Sequence, residues 1–207
     1  RRHLGLRSHA MSYSMGEIES HCRKAARGAG FSFGEAEEAG QAVRRLSAAG
    51  LAGAEALLAY LTAREAGETQ DSSCPIKLGC QLVDGASPSL ATCHTPMLLL
   101  PFLSPLAEAQ GTALLLRGAV FEGLATLDGG LHVIHPALQD SDLSLQSATA
   151  PSADLVWRAT SSRDTYAALD SVCPRTYAPY TAAHRAPAAG AGNYATTPPY
   201  NISRPAR

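Results

Sequence analysis

The residue types best suited to chemistry in this chain are its five Cys and seven His. Cys74, Cys80, Cys93 and His94 make the densest group of metal-ligand types. Structural zinc sites favour a knuckle of two to four residues between thiolates, because a tight turn must aim both at one ion. Here five residues separate Cys74 from Cys80. Cys93 and His94 are chain neighbours, and on a strand their side chains would point to opposite faces. The spacing therefore predicts buried thiols and no metal site. His21 and Cys22 are also adjacent. On a helix they diverge by about 100°, so a Cys–His nucleophile pair would need a His from elsewhere, such as His94, His132 or His135. His132 and His135 differ by an odd number, which places them on opposite faces of a strand.

Lys24 and Arg27 are a different case. At i, i+3 they share a helix face, and Gly28-Ala29-Gly30 follows at the helix end. Glycines there, with Ser32 opening the next helix, suggest backbone amides available to an anion. Lys24, Arg27, Gly28 and Gly30 are thus the ligand-binding candidates, for a small anionic metabolite. Gly190 and Gly192 join them as a Gly-x-Gly, where backbone could approach a ligand or a partner chain closely. They follow no apolar strand and open no helix, so they do not make a dinucleotide fingerprint. No P-loop, nucleophile elbow or zincin motif occurs. No catalytic residue and no cofactor is assigned.

These residues must be positioned by the surrounding elements. Ser14-Met15-Gly16-Glu17 and Ser32-Phe33-Gly34-Glu35 both read as capping boxes. They predict helices from Met15 to Arg27 and from Phe33 to about Ala49. The inward faces would be Ile18, Cys22, Ala25 and Ala26 on the first and Ala36, Ala39, Gly40, Val43 and Leu46 on the second. The small residues imply close helix approach. A third helix spans Gly53 to Glu65. From Ser72 onward Pro and Gly punctuate short apolar runs, which predicts strands at 76–83, 97–103, 112–117, 119–127, 131–135 and 155–159, the first of them equally readable as a helix. Asp128-Gly129-Gly130 would close a hairpin. Residues 141–151 read as irregular, and a last helix covers Arg163–Val172. The fold class is α+β: an N-terminal helical unit (11–67), a mostly antiparallel sheet in a β-rich middle (72–160), a C-terminal helix (163–173) and an extended tail (174–207).

Charge divides the chain in the same way. Its net charge is −1, but residues 1–10 carry three Arg and no acid, and 174–207 four Arg and no acid. The middle has a net charge of −8. An acidic body opposes a nucleic-acid interface. No apolar run reaches the roughly 18 residues of a membrane span. Five Cys without a secretory leader point to a reducing cytoplasm. Fifteen Arg against two Lys, with abundant Ala, suggest a GC-rich bacterial genome. The tail has four Tyr and six Pro. It suits an extended segment lying over the acidic body, held by Tyr rings.

Several segments together resemble a known family. Met11-Ser12-Tyr13-Ser14 through Glu17-Ile18-Glu19, then Lys24-Ala25-Ala26-Arg27-Gly28-Ala29-Gly30 and Phe33 to Gly40, resemble the bacterial domain of unknown function 3726. Pro75-Ile76-Lys77-Leu78-Gly79, Arg175-Thr176-Tyr177 and Ala189 to Gly192 fit the same pattern. The resemblance spans Met11 to about Asn193. It implies that the protein starts at Met11 and that residues 1–10 are extraneous. It carries no activity, cofactor or catalytic residue. Three functions are then expected, in this order. The first is binding of a small anionic metabolite, or an accessory role. The second is an enzyme built from distant segments around Cys22 or Cys93 and a His. The third is an interaction subunit using the Tyr-bearing tail, with self-association included.

Overall fold

The computed structural model describes residues 10–138, 140, 142–149 and 154–176. The chain opens with strand β1 (Ala10–Ser14). Helices α1 (Met15–Gly28), α2 (Phe33–Ala48) and α3 (Gly53–Glu65) follow. Both capping boxes are formed. Glu17 N donates to Ser14 Oγ at 3.1 Å and Glu35 N to Ser32 Oγ at 3.3 Å, and each Glu carboxylate accepts from its cap amide. The three helices also end alike. After α1, Gly30 N donates to Arg27 O and Phe31 N to Ala26 O, and the same pattern recurs at Gly50–Leu51 and Gly67–Glu68. This closure needs a left-handed residue one place beyond the cap. Gly30, Gly50 and Gly67 supply it with φ of 92°, 74° and 74°.

The inward faces expected of α1 and α2 are all buried. On α3, Leu57 and Leu61 are buried and Leu58 is half-buried. Small residues bring the helices together as expected. A Cβ on Gly40 would lie 2.8 Å from Glu19 O, and one on Gly53 2.8 Å from Val43 O.

The segment after α3 departs from expectation. Residues 76–83 form helix α4 (Pro75–Val83), and 97–103 form a 3₁₀ turn (Pro96–Leu98) leading into helix α5 (Leu100–Gln110). Proline is the reason. Pro75, Pro96 and Pro101 stand at the first or second helical position, where a missing N–H costs nothing and the fixed φ favours the helix. The run 97–103 is apolar throughout and carries no period to distinguish strand from buried helix, whereas Lys77 and Gln81 mark one polar side of α4. Phe102 of α5 lies over Gly79 of α4, where a Cβ would come within 2.3 Å of its ring.

A four-stranded antiparallel sheet follows. Its strands are β2 (Ala113–Arg117), β3 (Glu122–Ala125), β4 (Leu131–His135) and β5 (Ser144–Ala148), in the order β4-β3-β2-β5. β5 falls where irregular chain was expected. It is a polar, mostly exposed edge strand with no apolar alternation to announce it. The strand expected at 155–159 lies further on, as β6 (Arg158–Ser162). It pairs antiparallel with β1, from Ala10↔Ser162 to Ser14↔Arg158. Ala10, expected to be extraneous, is thus the first residue of that ladder. Ser162 caps helix α6 (Arg163–Val172), its Oγ accepting from Thr165 N at 2.9 Å. Glu55 of α3 fixes this junction, with Oε1 accepting from Ser161 Oγ (2.7 Å) and Ser162 N (3.0 Å). The class is α+β, with helices through the N-terminal half, antiparallel sheets and a C-terminal helix. No helix among the described residues is long and apolar enough to cross a membrane. The tail from Tyr177 onward lies outside the described residues, and its expected docking on the body with it.

Candidate functional site

A cleft of about 570 Å³ in the described body is walled by four segments. Glu68, Gln70 and Ser73 come from the end of α3 and the 3₁₀ turn Asp71–Ser73. Ala91 to His94 come from the connection between α4 and α5, Ala119 and Val120 from the β2–β3 loop, and Asp140 from the connection between β4 and β5. Each wall is pinned by backbone bonds. His94 N donates to Ser73 O at 2.9 Å and Thr95 N to Leu138 O at 2.6 Å. The Asp140 carboxylate gathers the β2–β3 turn by accepting from Ala119 N (2.9 Å), Val120 N (3.0 Å) and Phe121 N. Successive amides converging on one carboxylate make a rigid corner.

His94 is the titratable group built into this wall. Its side chain is buried, Nδ1 lies 2.8 Å from Thr95 Oγ1, and the Tyr60 ring meets it edge-on at 5.8 Å. Burial lowers its pKa, and the Glu68 carboxylate only partly opposes that. The imidazole is therefore neutral near pH 7 and offers both a donor and an acceptor. The next residue is strained. Thr95 has φ 51° and ψ 62°, a left-handed conformation that a β-branched side chain strongly disfavours. Such strain costs about 1–3 kcal/mol and concentrates where a backbone is held for a purpose.

The cleft's charged lining is acidic, from Glu68 and Asp140, while Gln70, Ser73 and Thr92 add neutral polar groups. No Lys or Arg is among these lining residues. That chemistry suits a neutral or cationic polar ligand.

The sequence-derived candidates sit elsewhere. Lys24 is exposed on α1. Arg27 donates to Phe31 O and lies over the Phe33 ring at 3.9 Å. The amides of Ala29, Gly30 and Phe31, expected to face an anion, donate to carbonyls of α1. Gly28 allows a close approach, because a Cβ there would lie 2.1 Å from Val172 O. Gly28 also lines a recess of about 190 Å³ with Arg64, Glu65 and Arg175. Gly190 and Gly192 lie outside the described residues.

Cys22, Cys80 and Cys93 are held as thiols. Burial raises the thiol pKa of Cys22, and it pushes Cys80 to about 11 and Cys93 to about 12. Cys93 Sγ is 3.7 Å from His94 O, a backbone contact and not an imidazole one. Cys74, Cys80, Cys93 and His94 do not converge as ligands. The one set of three metal-ligand types within reach of each other among the described residues is His21, Asp170 and Cys173. Sequence reasoning missed the cleft because its walls are drawn from positions 68 to 140. In the sequence His94 stands out only as a metal-ligand type beside Cys93 and as a partner for Cys22.

Residues 13–86 match the model of a family described as "Protein of unknown function (DUF3726)". That stretch contains α1 to α4 and the Glu68–Ser73 wall of the cleft. No curated protein and no solved structure matches the chain.

Proposed function

We propose that this protein binds a small, polar, neutral or cationic metabolite in the cleft beside His94. The observation that carries this reading is the buried imidazole of His94 on the cleft wall, hydrogen-bonded behind the wall to Thr95, the strained residue that follows it. The acidic lining sets the ligand's charge. A neutral imidazole and fixed carboxylates would orient it through hydrogen bonds, each better made in a site partly shielded from water.

Thermal unfolding with a panel of amino acids, polyamines, nucleosides and sugar phosphates tests the reading. A ligand present at 100 times its Kd stabilises the native state by about 2.7 kcal/mol. At least one neutral or cationic compound should raise Tm, and His94→Gln should remove that rise. A panel without any such shift, or a shift that survives His94→Gln, would sink the proposal.

An anionic ligand is the second reading, favoured by the guanidinium groups of Arg64 and Arg175 in the recess at Gly28. The Glu65 carboxylate, 2.9 Å from Arg175, competes for one of them. In that case the sugar phosphates give the shift, and Arg175→Ala or Arg27→Ala reduces it while His94→Gln does not.

A further inference from the structure

At the seam between α1 and α6, well apart in sequence from the cleft residues, three ligand-type side chains come together. One ring nitrogen of His21, a carboxylate oxygen of Asp170 and Sγ of Cys173 all lie within 4.8 Å of one another. Asp170 and Cys173 are three residues apart on one helical face, so they project to the same side. His21 arrives from the packed neighbour, α1. Donor atoms around a tetrahedral zinc are about 3.3–3.8 Å apart, given bond lengths of roughly 2.0–2.3 Å. A contraction of about 1 Å would close the set.

The geometry points to a site for a divalent transition-metal cation of the zinc class, held by His21, Asp170 and Cys173, with the fourth position left to water. The donor set selects the metal. A thiolate excludes magnesium and calcium chemistry, while imidazole, thiolate and carboxylate together suit zinc or its cobalt substitute.

The surroundings support this reading. His21 Nε2 is 3.1 Å from Tyr166 O. A carbonyl oxygen can only accept, so Nε2 carries the proton and Nδ1 keeps its lone pair. A backbone carbonyl on the second nitrogen is the arrangement that fixes a ligating imidazole. The ring is further held by a stack. His21 lies 3.8 Å from Tyr166 with planes 5° apart, and Tyr166 lies 4.5 Å from Tyr13 with planes 4° apart. Cys173 is buried and Asp170 exposed, which gives the cation a path from solvent to the thiol. Binding would replace the S–H bond with a metal–sulfur bond and release the proton to buffer.

The full chain, reduced and stripped with chelator, is titrated with Co²⁺ and then Zn²⁺. One equivalent of cobalt should produce a thiolate-to-cobalt charge-transfer band, which zinc then displaces. Asp170 is exposed, so Asp170→Asn should fold normally and weaken binding about tenfold or more. Cys173→Ser should abolish the band, and Cys80→Ser should leave it intact. Should Cys173→Ser fail to fold, zinc must protect Cys173 of the unmodified chain from alkylation. The proposal is overturned by the absence of a band at one equivalent, by a band lost in Cys80→Ser, by a band unchanged in Asp170→Asn, or by Cys173 alkylating equally with and without zinc.

Discussion

Burial acts on Cys93 and His94 in opposite chemical directions with one result, which is that both are held neutral. The thiol resists losing a proton and the imidazole resists gaining one. The consequences for stability can be worked out by sign. An unfolded thiol titrates near 9.0 and Cys93 in the fold near 12. Between those values the unfolded chain binds fewer protons, so stability falls as pH rises above 9, by up to about 1.4 kcal/mol per unit. For His94 the folded value lies below the ordinary 6.5. Stability from that group is present above 6.5 and lost as pH falls through the folded pKa. Cys93→Ala should therefore flatten the alkaline limb. Urea midpoints between about pH 8 and pH 10.5 should decline less steeply in the variant than in the parent. Parallel declines would show that Cys93 is not the group responsible. The buried thiol of Cys93 agrees with the sequence reading, whereas the burial of His94 had no signal there. Cys93 and His94 could be noticed as types, but their burial depends on Ser73, Tyr60 and Leu138, which only the fold brings near.

At the level of elements, legibility followed local chemistry. α1, α2, α3 and α6 could be read within a residue or two because caps and closing glycines are short-range signals. The segment of α4 reads as strand or helix and that of α5 as a strand, because Pro at a helix start and Pro between strands look alike in sequence, and the apolar run 97–103 carries no period. β5 was missed for the converse reason, being too polar to stand out. The N-terminal cap of α2 offers a test. Ser32 accepts from Glu35 N, and Glu35 accepts from Ser32 N at 2.8 Å. That backbone bond, with help from Lys77, holds the Glu35 pKa below its ordinary value. Ser32→Ala should cost about 1 kcal/mol in urea unfolding near neutral pH. Glu35 stabilises the fold above its ordinary pKa of 4.5 and loses that contribution as pH falls below it. An Ala variant indistinguishable from the parent at neutral pH would mean the cap is dispensable.

The whole body is closed by a contact between its two ends. β1 pairs with β6 along all five residues, although about 145 positions separate them in sequence. Arg158 clasps the ladder, with Nε donating to Ser12 Oγ at 2.6 Å and a terminal nitrogen to Ser12 O at 3.1 Å. Tyr13 adds its ring to the stack that runs through Tyr166 to His21. Ala10, the last of the basic first ten residues, belongs to the ladder. Two shortened chains separate the possibilities. Of the described ladder, a chain beginning at Met11 loses the outermost pair, Ala10↔Ser162, and should unfold within about 0.5 kcal/mol of the full chain. A chain beginning at Met15 loses the strand, the Arg158 clasp, the α1 cap at Ser14 and a buried Tyr. Burial of a large side chain contributes about 1.5–3 kcal/mol and a cap about 1 kcal/mol, so the loss should exceed about 2 kcal/mol. Urea unfolding followed by circular dichroism measures both. Equal stabilities for the chains beginning at Met11 and Met15 would mean that the ladder joining the two ends contributes nothing. The His21 ring would then owe its orientation to α6 alone.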